Sequence, residues 1–190
     1  MANSDTPYGL VPIGRNGGRY DGSVGIYYIP STDGTACAVG DAVKLAGSAD
    51  SRGIPTIARA TAGDIPVGII VGFVPAPSAL DVPDYRAAST ARYAQVADDP
   101  DVYFVIQEDS VGGALAATSV GLNANMIFGT PSATTGLSNV ELDSSTALDT
   151  DTLDLQIIRL WDAPDNAIGT NAKWVCKFNT HQYAKSRTGV

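Results

Sequence analysis

His181 is the only histidine in this 190-residue chain and the only side chain whose ordinary pKa lies near neutrality. It closes an alternating stretch, "KWVCKFNTHQ" (173–182), and stands beside Gln182 and Tyr183. Serines and aspartates are plentiful, so a Ser-His-Asp relay can be written on paper. No G-x-S-x-G elbow sets a serine on a strained strand-to-helix turn, however, and abundance is not geometry. A strand-end or subunit-contact role is the better reading of His181.

The carboxylates raise a second possibility. Asp98, Asp99 and Asp101 precede Glu108 and Asp109, and "LDTDTLD" (148–154) is also acid-rich. A calcium loop of the EF-hand kind needs oxygen ligands at fixed spacing, a mid-loop glycine and a terminal glutamate. Neither stretch has that set, and turn capping explains both. Two cysteines, Cys37 and Cys176, with one histidine and no C-x-x-C spacing make no four-ligand zinc site without carboxylate help. They are expected as reduced thiols packed like small hydrophobes. The Gly-Asp pairs at 40–41 and 63–64 lack both G-x-x-x-x-G-K-[ST] and G-x-G-x-x-G. They read as turns with positive φ at glycine. Catalytic, metal-binding and cofactor-binding residues are therefore expected to be none.

The elements that must carry these residues are short strands. Eighteen of twenty acids are aspartate, with 20 glycines and 11 prolines, a composition of turns rather than helix interiors. "GIYYIP" (25–30), "DAVKLAG" (41–47), "IPTIARA" (54–60) and "IPVGIIVGFV" (65–74) follow one another with turn signals every 8–12 residues. Pro55 suggests an edge strand. Gly68 and Gly72 suggest a bulge or a close approach in the central one. "YRAASTARYAQV" (85–96) fits either a short helix or an extended segment. "VYFVIQ" (102–107), Met126–Phe128 and "TLDLQIIRLWD" (152–162) are further strands, and 130–142 reads as a long loop. In 173–178, Trp174, Cys176 and Phe178 should face inward and Lys173, Val175 and Lys177 outward.

Residues 1–22 hold two prolines and five glycines yet carry Tyr8, Leu10, Val11 and Ile13. An extended arm that orders on a partner accounts for both features. The expected fold is mainly β: one small β-barrel or jelly-roll-like sandwich over 23–185, an extended N-terminal arm over 1–22, at most one or two short helices, and a frayed tail over 186–190. A division into two sub-lobes near 76–90 stays open.

The formal net charge is −8, which opposes nucleic acid as a partner. No apolar run approaches the length of a membrane span, and the first residues lack a signal-peptide pattern, so synthesis and retention in the cytosol are expected, unless the chain is carried out as part of an assembly. Residues 98–165 hold twelve acids and one base, while Lys173, Lys177, Lys185 and Arg187 follow with no acid among them. A basic end on an acidic body suits contact with an acidic neighbour, or simply solvated faces.

"MANSDTPYGLVPI", "YYIPSTDGTACAVGDAVKLAGSAD", "GIPTIARATAGDIPVGIIVGF", "DDPDVYFVIQEDS" and "NAIGTNAKWVCKFNTHQ" together resemble the head decoration, or capsid cement, proteins of tailed bacteriophages. The resemblance spans nearly the whole chain, through order and phrasing rather than a catalytic signature. It implies a β-rich, non-enzymatic homodimer or homotrimer on the outer surface of a virion, made in the host cytoplasm and bound to the major capsid protein. The residues expected at contacts are Tyr8, Leu10, Val11, Ile13, Arg15 and Arg19 in the arm, and Lys177, His181, Tyr183 and Arg187 at the C-terminal end. Rival readings are a tail or head–tail connector subunit, and a hydrolytic or carbohydrate-binding β-protein.

Overall fold

The structure, a computed structural model, describes residues 3–77, 80–81, 84–184 and 189–190. The chain opens with a hairpin, β1 (Val11–Arg15) and β2 (Gly18–Arg19). Next come β3 (Gly25–Ile29), the short β4 (Cys37–Ala38), β5 (Ala42–Ala49), β6 (Pro55–Arg59) and β7 (Gly68–Phe73). After them lie the short β8 (Tyr85–Arg86), β9 (Arg92–Ala97) and β10 (Val102–Gln107). The last third holds β11 (Asn123–Ala124), β12 (Met126–Phe128), β13 (Val140–Leu142), β14 (Leu155–Leu160) and β15 (Lys173–Phe178). Two single-turn 3-10 segments, Ala117–Ser119 and Ser144–Thr146, are the helical elements of the described residues. The mainly β fold with a small barrel is as the sequence leads one to expect.

Five strands close a barrel in the order β3-β6-β5-β7-β9. Alternation decides its interior. Tyr27, Ile29, Val43, Ile57, Ile70, Ala94 and Val96 point inward and are buried together. Burying a Val or Ile side chain contributes about 1.5–3 kcal/mol, so this cluster favours closure of the barrel. Pro55 does not mark an edge. It opens β6, which β5 flanks on one side and β3 meets in parallel through Tyr28 and Thr56 on the other. A proline at the first residue of a strand removes no ladder bond the barrel needs. In β7, register shifts between Ile70 and Gly72, as a bulge requires. Gly68 lies so close to β9 that a Cβ there would sit 2.3 Å from the Ala97 carbonyl oxygen.

A second sheet has the order β11-β14-β15-β10-β1-β2. Phe104, Ile106, Leu155, Ile157, Trp174, Cys176 and Phe178 build its core, and Ala42 and Ile69 of the barrel strands join them. The barrel thus supplies two side chains to the neighbouring core. Val175, expected to face outward, is 1% exposed. Val175 sits opposite the buried Val105 in the β10–β15 ladder. Segment 85–96 is no helix but β8, a turn at Ala88–Ser89 and the start of β9, and the end of the expected 130–142 loop is β13, paired with β12.

Residues 3–22 are not a separate arm. Val11–Arg15 pair with β10 and extend the second sheet, and Leu10 is 1% exposed in its core. Upstream, the Asn3 amide donates to the Ala167 and Thr170 carbonyls, and the Thr6 N–H donates to Gln107. Gly9 has φ +76°, and a Cβ there would meet the Gly40 carbonyl oxygen at 2.4 Å. Of the apolar residues that suggested partner-dependent ordering, Leu10 finds its surface within the same chain, Tyr8 and Ile13 are half-buried, and Val11 stays exposed.

Candidate functional site

Most of the groups with chemical potential are buried, and they hold segments together. Asp41 is fully buried just past Gly40, which has φ +92° as the turn reading expects. Its carboxylate lies 2.9 Å from the Arg59 guanidinium and accepts from the Ser138 hydroxyl at 2.6 Å and the Ala38 N–H at 2.8 Å. Burial pushes this carboxyl up, against the pull of Arg59 and the hydrogen bonds. Arg59 also donates to the Gly129 carbonyl at 2.6 Å and lies over the Phe128 ring. This group therefore ties β5 and β6 of the barrel to the β12–β13 hairpin.

Two further carboxylates act in the same way without a cation. Glu108 is fully buried and accepts from Trp174 Nε1–H, the Leu115 N–H and the Ser110 hydroxyl. Asp154 accepts from Gly63 N–H at 3.1 Å and Met126 N–H at 2.9 Å, pinning the turn before β7 to the second sheet. Burial raises the pKa of both above the ordinary carboxylate range. A carboxylate fed only by neutral donors in such a place loses hydration that nothing fully restores.

Arg86 is wholly buried and donates to the carbonyls of Pro30, Asp33, Thr35 and Thr90. One guanidinium thus organises the loops around β4 and β8. Cys37 and Cys176 are buried free thiols. Burial pushes Cys37 up to about 12 and Cys176 also upward, so both are held as inert thiols. Among the described residues, no group of three or more His, Cys, Asp or Glu converges as metal ligands. No helix among them is long and apolar enough to cross a membrane.

The expected contact residues divide. Val11, Arg15 and Arg19 are exposed along the β1–β2 edge, with Ile13 half-buried beside them. Leu10 is core and cannot meet a partner. Tyr8 is half-buried under the Lys173 ammonium, 5.6 Å from its ring centre, in an open groove with Leu137 and Asn139. Lys177 is half-buried on β15. His181 is 2% exposed between the Phe178 and Tyr183 rings, and its Nδ1 accepts the Tyr183 N–H at 3.1 Å. Tyr183 is 48% exposed. Arg187 lies outside the described residues.

The structure brings β1 and Tyr183 to one acidic turn. The Tyr27 hydroxyl donates to Asp98 at 2.8 Å and lies 3.0 Å from the Tyr183 hydroxyl. The adjacent Asp99 faces Arg15 at 3.9 Å. Arg15 of the N-terminal strand and Tyr183 near the C-terminus thus flank one acidic turn. No protein-family model, curated protein or solved structure matches the chain.

Sequence reasoning missed one surface feature. On the barrel exterior Tyr28 and Tyr93 are cross-strand partners with ring centres 5.1 Å apart. The Arg52 guanidinium lies 4.8 Å from the Tyr93 ring centre. Asp50 accepts from the Tyr93 hydroxyl at 2.6 Å and from Arg52. That bond to Tyr93, with those from Ile54 and Arg52, holds the Asp50 carboxyl down to about 2. Strand alternation in "GIYYI" and "RYAQV" was the available signal, but which strands pair was not.

Proposed function

We propose that this chain is a structural virion protein that binds the outside of a phage capsid and stabilises it by bridging major capsid protein subunits. One observation carries the reading. Asp41, Arg86, Glu108 and Asp154 are buried, and each is bonded to groups of other segments. Polar side chains committed in this way make a stiff body rather than a reaction centre. Stiffness is what a brace needs, because a rigid partner loses little freedom when it docks.

The exposed Val11, Arg15 and Arg19 edge and the half-exposed Tyr183 supply the contacts with the shell. A standard interface buries about 1,600 Å² in total, and many symmetric copies add their effects. The acidic stretch at 98–165 keeps a coated particle soluble. In this reading the chain has no enzymatic activity, needs no cofactor, self-associates, and contacts neither nucleic acid nor membrane.

The test is its copy number relative to the major capsid protein in purified particles, with gold labelling to place it. A simple whole-number ratio and label on the outside of heads support the reading. Label at the tail or the head–tail junction, at the low copy number of a ring, would assign it to those parts instead. Absence from particles would end the virion reading altogether.

A further inference from the structure

We propose that Asn16, at the tip of the β1–β2 hairpin, is a site of spontaneous deamidation, converted by its own chain and water to aspartyl and isoaspartyl forms. The modification belongs to the free chain and does not rest on the capsid reading. Asn16 and Gly17 are the two turn residues between the paired Arg15 and Gly18, and both are exposed. Among the described residues the Asn16 side-chain amide makes no hydrogen bond, and the Gly17 N–H donates to no backbone carbonyl. Nothing stands within 4 Å of where a Cβ at Gly17 or Gly18 would lie. The Asn16 side-chain carbon and the next backbone nitrogen are therefore free to approach. Glycine opposes the rotation this needs least of all residues.

The Gly17 nitrogen bonds to Asn16 Cγ, its proton passes through water to the side-chain nitrogen, and the Cγ–Nδ2 bond breaks to release ammonia. Water then opens the resulting succinimide ring. Attack at Cγ leaves aspartate. Attack at the Asn16 main-chain carbonyl leaves isoaspartate, with the chain running through the side chain. Nothing is oxidised or reduced. Asparagine is a thermolabile residue in general, but the fold restrains the other seven of this chain. Asn3, Asn123, Asn139, Asn166 and Asn179 give their amides to carbonyls elsewhere. Asn125 and Asn171 precede Met126 and Ala172, whose N–H groups are held by Asp154 and the Gly169 carbonyl. The two Asp-Gly pairs, which cyclise in the same way by losing water, are held too. Asp21 accepts the Ser23 N–H at 3.0 Å and faces Arg15 at 3.5 Å. Asp33 accepts the Thr35 N–H at 2.8 Å and lies 3.8 Å from the buried Arg86. Either product at position 16 sets a carboxylate beside the acidic turn, where the Asp101 carbonyl accepts the Asn16 N–H at 3.0 Å. Isoaspartate also adds a backbone carbon to the two-residue turn that sets the register of β1 and β2.

The test is incubation of the purified full chain in warm, mildly alkaline buffer, both folded and in guanidinium chloride, with peptide mapping by mass spectrometry over time. In the folded chain the peptide holding residue 16 should gain the mass difference between O and NH and separate into aspartyl and isoaspartyl forms. Asn16→Gln should lose both products, because the larger ring it must form closes far more slowly. Thermal unfolding of that variant checks that the fold survives. Asp21, Asp33 and the other asparagines should stay unmodified in the folded chain. An Asn16 that stays intact in the folded chain, over the time in which the denatured chain converts, overturns the proposal. So does equal modification of Asp21, Asp33 or another asparagine in the folded chain. None of these outcomes alters the copy number in particles, so failure here and failure of the capsid reading are told apart.

Discussion

In the barrel, five short strands close on one another around Ile29, Val43, Ile57, Ile70 and Val96. In the neighbouring sheet, six strands stay open at both ends and bury Phe104, Trp174 and Phe178 on one face. The closed unit has no free edge of the kind that pairs with stray strands. The open one ends in the two-residue strands β2 and β11, which present little edge. Most of the acid lies in the stretch that builds the open sheet, and the stretch that builds the barrel is nearly neutral.

The comparison is sharpest at the joints between the two units. Arg59→Met would leave Asp41 buried without its cation, and should cost about 3–5 kcal/mol in denaturant unfolding. One cooperative transition that shifts as a whole would mean that the units unfold together. A split transition would make them separate folding units. Gly9→Ala forces a Cβ against the Gly40 carbonyl at positive φ, with an expected loss of about 2–3 kcal/mol. A loss below about 0.5 kcal/mol would show that the N-terminal segment can lift away at no cost. Trp174→Phe removes the indole donor to Glu108 within the open sheet, and should cost about 1–2 kcal/mol.

The smallest effect expected is a pH slope. Burial raises Glu108 and Asp154, so the folded chain holds these protons more tightly than the unfolded chain does. Their contribution to stability is full below the unfolded carboxylate values, near about pH 4, and is lost as pH rises through the folded ones. Stability measured from about pH 4 upward should therefore fall from this cause. Glu108→Gln and Asp154→Asn should each flatten the slope. An unchanged slope in both variants would assign the titration to other groups.

Much of the architecture was legible in the residues. Alternation placed Trp174, Cys176 and Phe178 inside, and glycine chemistry anticipated the bulge at Gly72 and the turns at Gly40 and Gly63. What escaped was whatever depends on a distant partner. Asp154, just before β14, is buried where Gly63, 91 residues away, presents an N–H to it. Val11–Ile13 look like an arm because nothing local pairs them, yet β10 does. Pro55 reads as an edge because the sequence cannot show that the barrel closes through β3.

The sequence by itself determined a mainly β chain rich in turns, two buried thiols and an uneven charge, because strand period, turn chemistry and ionisation are local properties. Only the tertiary structure decided where Asp41, Glu108 and Asp154 would go, and that Tyr28 and Tyr93 would stand side by side under Arg52. Those outcomes rest on hydrogen bonds and ring contacts between strands far apart in the chain, and pairing energy of that kind exists only once the barrel and sheet have formed.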